Sequence, residues 1–225
     1  NVFGFLEINR GNNLTISECT FIDGIRGIWL RCGADQTLSN VTIQNNILTD
    51  LRDGIYVGAS QESVTGDLLF NVKITSNTIT QGKGTDETDG GDGIKLIKKC
   101  NNLMISDNYI SGFIRDAIDM FAGGEKTIIN GNILADSGVK GLDIKAIVDE
   151  FPISIWGYNG HNLVITNNII ENNTTAVSIA RNVNVDTDYN YFIDVSHNQI
   201  INNTQTAVQL YGKHIKIADN FFMGN

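Results

Sequence analysis

The chain is short of the residues that staple, kink or anchor a protein. One proline in 225 residues leaves almost nothing to interrupt extended segments. Three cysteines, Cys19, Cys32 and Cys100, make no disulfide framework and have no metal-ligand spacing; they read as buried or half-buried thiols. No apolar run approaches the ~20 residues that cross a bilayer, which argues against membrane insertion. No signal peptide stands at Asn1. Cations are scarce as well: 16 Lys and Arg face 25 Asp and Glu, a formal charge of -9. An acidic surface argues against a nucleic-acid partner and an anionic membrane face, and it holds a polyanion only where cations gather locally. The three histidines, His161, His197 and His214, fall at coil corners or in the asparagine register described next, with no Ser-His-Asp or Cys-His arrangement around them.

A short pattern recurs in their place. An apolar alternation leads to an Asn-containing pair, and a second alternation opens eight or nine residues later on Gly-Ile or Ala-Ile: NVTIQNNI then DGIYV, NLMISDNYI then DAIDM, NLVITNNII then AVSI. A self-similar unit of strands alone predicts a β-solenoid. The second residue of the pair sets a register of Cys19, Asn46, Asn77, Asn108, Asn132, Asn168, Asn198 and Asn220, whose amides are expected to stack and bond to one another. The matching strand starts are Gly27, Gly54, Gly93, Ala117, Gly141, Ala176 and Ala207. Their small size predicts a tight backbone turn there. After each start, alternate residues such as Ile55 and Val57, or Ile118 and Met120, are expected to face the core. GFLEI at the beginning and HIKIADNFFMGN at the end both fall mid-coil. Residues 1–225 therefore read as a single parallel β-helix domain truncated at both ends, a segment of a longer protein or one closed by capping elements or partner chains.

Stacking places residues distant in sequence side by side. The first outward row beside the core positions is Trp29, Tyr56, Lys95, Asp119, Asp143, Ser178 and Gln209; the row just before the strand start is Arg26, Asp53, Asp92, Asp116, Lys140, Thr175 and Thr206. Lys145 follows in a second outward row, and Arg52 and Arg115 precede two of the aspartates. Coils lie about 4.8 Å apart, so Asp92 beside Asp116, and Asp119 beside Asp143, repel by roughly 1 to 4 kcal/mol. A lysine, an arginine, a shared proton or a bound Ca²⁺ is expected to offset this. The alternative is a solvated ladder with lysine partners. Long insertions, 81–92, 58–70, 147–160 and 181–192, flank the same column, as loops around a functional cleft do. Trp29, Tyr56, Trp156 and Tyr158, together with Phe151, could offer rings for sugars to stack on, or pin their own loops.

This organisation resembles the right-handed parallel β-helix superfamily, whose members include pectate-lyase-like enzymes, related polysaccharide hydrolases and epimerases, and bacteriophage tailspikes. The resemblance implies an all-β, right-handed coil of about seven to eight turns, with polysaccharide as the partner. It implies a secreted, cell-surface or virion location, and a homotrimer if the source is a virion fibre. In these proteins the sheet corresponding to the Gly-Ile column floors the polysaccharide cleft. RDAIDMF, Arg115 to Phe121, resembles the calcium-binding Asp-Asp-Gly-x-Asp-x-aromatic stretch of one pectate lyase family, with a departure at Ala117; that family's lysine aligns nearer Asp143 than Lys145. GGDGIKL resembles the polygalacturonase Asn-Thr-Asp-Gly-x-Asp motif more distantly, without its Gly-His-Gly or Arg-Ile-Lys partners, and the Asp-Pro-His motif of alginate epimerases is absent.

The expectation is a glycan-processing centre, cation-assisted β-elimination ahead of hydrolysis. Lys145 or Lys95 would be the base, its pKa lowered by burial, with Asp119, Asp143 and Asp116 as further catalytic groups. Asp92, Asp116, Asp119 and Asp143 would hold Ca²⁺. Arg115, Arg52, Tyr56, Trp29, Trp156 and Tyr158 would bind substrate. In a hydrolase, two carboxyls would act together, about 5 to 5.5 Å apart for retention and roughly 6.5 to 9.5 Å for inversion. A tailspike segment that binds glycan without cleaving it, or an inert surface solenoid, are the other readings.

Overall fold

A computed structural model describes residues 5–31, 37–58, 69–84, 90–97, 100–120, 125–144, 161–179 and 190–225. Among these every strand pairing is parallel, and no helix occurs. The chain winds through three faces. The first is an eight-stranded sheet that includes Leu38–Gln44, Leu69–Thr75, Asn101–Ser106 and Glu125–Asn130. The second follows each Asn pair, in short strands such as Thr78–Thr80 and Tyr109–Ser111. The third carries the Gly-Ile column: Leu6–Ile8, Ile94–Leu96, Asp116–Met120, Lys140–Ile144, Thr175–Ile179 and Thr206–Leu210. Two eleven-residue strands, Thr20–Leu30 and Ile47–Val57, run round the corner and join the second face to the third.

The predicted core rows are inside. Ile28, Leu30, Ile55, Val57, Ile94, Leu96, Ile118, Leu142, Ile144, Val177 and Ile179 are fully buried. Each stacks on its counterpart in the next coil, Ile28 on Ile55 on Ile94 on Ile118 on Leu142 on Val177. Each such side chain contributes roughly 1.5–3 kcal/mol by leaving water.

Corners are made by left-handed residues. One column of positive φ runs Asn13, Asn40, Asn71, Asn102, Lys126, Asn162, Phe192 and His214, one residue for each of eight coils. Asn and Asp dominate these positions because their short side chains tolerate αL. The strand-start glycines are different. Gly27, Gly54, Gly93 and Gly141 do not have positive φ, so the expected tight turn is not what keeps them small. A Cβ on Gly54 would lie 2.5 Å from the carbonyl oxygen of Gly93 and 2.5 Å from Ile79 Cγ2. Close approach of neighbouring coils sets the limit there.

The asparagine register forms an unbroken ladder, buried from Asn46 to Asn198. Asn46 Nδ2 donates to Asn77 Oδ1 at 2.9 Å, Asn77 to Asn108 at 3.0 Å, Asn108 to Asn132 at 3.0 Å, Asn132 to Asn168 at 3.0 Å, Asn168 to Asn198 at 3.0 Å and Asn198 to Asn220 at 2.9 Å. The same Oδ1 atoms also accept backbone N–H groups, as Asn108 Oδ1 does from Asn77 N at 3.0 Å. A second ladder, Asn173 to Asn203 to Asn225, runs five residues further on. Its signal is the repeated Asn-x4-Asn spacing from Asn168, Asn198 and Asn220. Of the cysteines described, Cys100 is buried and Cys19 exposed, both free thiols.

Candidate functional site

The third face aligns its outward residues in the expected order. Trp29 pairs with Tyr56, Tyr56 with Lys95, Lys95 with Asp119, Asp119 with Asp143, Asp143 with Ser178 and Ser178 with Gln209. In the row before it, Arg26 pairs with Asp53, and Asp116 with Lys140. The carboxylates do not form a solvated ladder. Their side chains are 0% exposed at Asp92 and Asp119, 1% at Asp143 and 3% at Asp53, and Asp116 is buried with them.

Buried carboxylates need partners, and the neighbouring rows provide them. Lys95 Nζ lies 2.5 Å from Asp92 Oδ2 and 3.3 Å from Asp119 Oδ2. Arg115 Nε stands 3.8 Å from Asp92 Oδ1. Lys140 Nζ is 2.8 Å from Asp143 Oδ2. Asp53 Oδ2 meets Arg52 at 3.0 Å and Arg26 at 3.5 Å. The backbone joins in, since Asp92 N donates to Asp53 Oδ1 at 3.4 Å and Asp116 N to Asp92 Oδ1 at 3.2 Å. Five aspartates (53, 92, 116, 119, 143) thus share one surface with five cations (Arg26, Arg52, Lys95, Arg115, Lys140). Asp53, Arg26 and Lys140 belong to this network although sequence reasoning placed them only in its rows.

Charge is layered across this surface. The cation side chains reach outward, 13% exposed at Lys95, 26% at Lys140, 33% at Arg115 and 40% at Arg52, above carboxylates that are not exposed. Burial pulls the Lys95 pKa down, but the charges of Asp92 and Asp119 outweigh it, so the ammonium is held above its ordinary value. The expectation of a lowered, basic Lys95 is corrected on that ground. Burial likewise acts against the Arg115 guanidinium and is overcome by Asp92, Asp119, Asp116 and Asp53.

Asp92, Asp116 and Asp119 each offer an oxygen, and the three oxygens lie within 4.8 Å of one another. Such a donor set suits a hard cation. Asp143 is not in that set and pairs with Lys140 instead. The Lys95 ammonium already sits against two of the three carboxylates, so an ion would enter by displacing it.

The aromatic residues are less open than their row suggests. Trp29 is buried, its indole N–H donating to Gly58 O at 3.0 Å, with the Arg26 guanidinium 4.4 Å and the Arg31 guanidinium 5.0 Å from its ring centroid. Arg26 also lies 4.1 Å from the centroid of half-buried Tyr56. Burial is the main cause of a raised Tyr56 pKa. Lys145, Phe151, Trp156 and Tyr158 lie outside the described residues, as do Cys32 and most of the flanking insertions.

The chain belongs to the right-handed β-helix family, whose model, described as a right handed beta helix region, matches residues 26–225. No curated protein matches it. Among solved structures it is similar to a tailspike protein mutant of E. coli bacteriophage HK620 in complex with a pentasaccharide, at 11% identity and a TM-score of 0.53, over 96% of this chain and 43% of that one. It is also similar to the Dettilon tailspike protein (15% identity, TM-score 0.42, 89% and 44% covered) and to an alginate lyase from Paenibacillus sp. str. FPU-7 (13% identity, TM-score 0.39, 93% and 88% covered). The chain thus spans less than half the length of either tailspike. At these identities the likeness is one of fold.

Proposed function

We propose that this β-helix takes an acidic polysaccharide along its third face, in a secreted, cell-surface or virion setting. The supporting observation is the layering of charge, with partly exposed Arg52, Arg115, Lys95 and Lys140 over buried aspartates. The five cations are matched by five aspartates, but the cations stand outermost, so a ligand approaching a chain of net charge -9 meets positive charge first on this surface. Guanidinium groups suit the planar carboxylate of a uronate sugar, which they can grip through two parallel hydrogen bonds.

On this reading the reaction is cation-assisted β-elimination, with Lys95 and Arg115 neutralising the substrate carboxylate. The base is then Asp119, freed as the substrate draws the Lys95 ammonium away, or Asp143, freed of Lys140 in the same way, and not Lys95. General-base help of this kind is worth about 10²–10⁴-fold in rate. Ca²⁺ is the cofactor this reading admits: Asp92, Asp116 and Asp119 would hold it once the Lys95 ammonium left, and it would add positive charge opposite the uronate.

Hydrolysis is the second reading, favoured by the direct pairing of Asp119 with Asp143 on neighbouring coils, since adjacent coils lie about 4.8 Å apart and retaining enzymes use carboxyls about 5 to 5.5 Å apart. A tailspike segment, assembled as a homotrimer, would use the same cations to hold glycan without cutting it.

Incubation with polygalacturonate and alginate tests the proposal. Unsaturated-uronate absorbance supports elimination, and loss of it in Asp119→Ala and Asp143→Ala places the chemistry. New reducing ends without that absorbance indicate hydrolysis. Binding alone supports the tailspike reading. No binding of any acidic glycan, or binding untouched by Arg115→Gln with Arg52→Gln, overturns the third-face site.

A further inference from the structure

The first face carries a groove of its own, away from the aspartates. Its outward row contains Lys73, Met104 and Ile128 on successive coils, and the corner beside it contains Asn71, Asn102 and Lys126. With their neighbours these residues enclose about 450 Å³, in the range of small-ligand sites. Among the described residues no acidic side chain lines it. Lys73 and Lys126 are exposed, and neither forms an ion pair with a described residue. In a chain of net charge -9, two exposed lysines on one groove with no described carboxylate against them are a local exception.

The corner supplies directional polar groups. Asn71 Nδ2 donates to Asn40 Oδ1 at 2.8 Å, and Asn102 Nδ2 donates to Asn71 Oδ1 at 2.9 Å. Each amide commits one of its two N–H hydrogens to the ladder and keeps the other for a ligand. The ladder is held rigid by the coil spacing, so these donors are ordered before anything binds. The floor is apolar, with half-buried Met104 and Ile128 between the polar corner and the lysine of the neighbouring coil.

Apolar floor, fixed amides and two exposed ammonium groups match the three parts of an acidic sugar: its C–H face, its hydroxyls and its acid group. We propose that this groove is a second glycan site, for an acidic oligosaccharide segment. Its described lining belongs to the first face and its corner, so it stands whether or not the third face binds. A second copy of the chain is a poorer occupant, because two half-buried apolar side chains fall short of the apolar centre that an interface between copies requires.

The test uses ¹³C-methyl methionine NMR. The chain has three methionines: Met104 in the groove, Met120 buried beneath the third face, and Met223 in the last coil. Titration with an oligogalacturonate should shift the Met104 methyl resonance, both in the native chain and in a variant carrying Arg52→Gln and Arg115→Gln. Lys73→Glu with Lys126→Glu should weaken that response at least tenfold while the Met120 and Met223 resonances keep their native positions, which shows the coil intact. Maltohexaose, a neutral oligosaccharide, should shift Met104 at least tenfold more weakly. The proposal is overturned if Met104 stays unshifted at saturating oligogalacturonate, if the shift survives the double lysine variant, if maltohexaose matches it, or if it follows protein concentration alone.

Discussion

Replacing Lys95 by Met removes the ammonium that lies 2.5 Å from Asp92 and 3.3 Å from Asp119 while keeping a long side chain in place. Two carboxylates with 0% exposure are then left short of a cation. Breaking a buried pair from one side costs about 3–5 kcal/mol. The lower end is expected here, because Arg115 remains 3.8 Å from Asp92 and the backbone N–H of Asp116 still bonds to it at 3.2 Å. A loss of about 3 kcal/mol corresponds to a fall in Tm of roughly 6–12 °C for a chain of this size.

The pH dependence carries a sign. In the native chain Lys95 has a folded pKa above its ordinary value, so its contribution is present below the unfolded pKa of about 10.4 and lost as pH rises through the folded pKa. In Lys95→Met the stranded Asp119 carboxylate, 0% exposed, is expected to bind a proton more readily than an aspartate of the unfolded chain, which titrates near about 3.9. The variant should therefore regain stability as pH falls from 8 towards 5, opposite to the usual behaviour of a paired aspartate. Adding Asp119→Asn should recover about 1–2 kcal/mol by removing one stranded charge. Urea unfolding at pH 5 and pH 8 measures all of this. A Lys95→Met variant within about 0.5 kcal/mol of native at pH 8, with a pH-independent difference, would refute the reasoning.

Asn108→Ala should cost roughly 3 kcal/mol in urea unfolding, because it orphans the Asn77 N–H and the Ile74 carbonyl among other buried groups. Thr127→Val should stabilise the chain by about 1–2 kcal/mol, since the Thr127 hydroxyl is buried without a hydrogen-bond partner among the described residues, in a core row whose neighbours are Leu103 and Leu163; a lower Tm would contradict it. Cys19, exposed, should react with a thiol reagent in the native state. Cys100, buried and pushed up to about 12, should react only after denaturation; fast native labelling of Cys100 at neutral pH would contradict its burial.

The repeat was legible because a solenoid writes its packing along the chain. Ile55 meets Ile94 and Asn77 meets Asn108 for one reason, that the next coil repeats the same local pattern. Alternation and a recurring asparagine therefore suffice for the fold, the core rows and the order of the outward rows on the third face. The ladder through Asn173 and Asn203 is written in the same way, as a five-residue offset from the first.

What the site does with its charges was settled only in three dimensions. Asp92 takes a backbone N–H from a residue 24 positions later, while its own N–H reaches one 39 positions earlier, and no spacing rule links those unequal steps. Row order could set Lys95 beside Asp119, but not the depth of the carboxylates or the direction of the lysine pKa. Both follow from distances of a few ångströms between side chains in a medium where desolvation and Coulomb attraction nearly cancel. Strand-start glycines show the same division: smallness was written in the chain, and its cause, a carbonyl of the neighbouring coil 2.5 Å from where a Cβ on Gly54 would stand, belongs to the stacked coil alone.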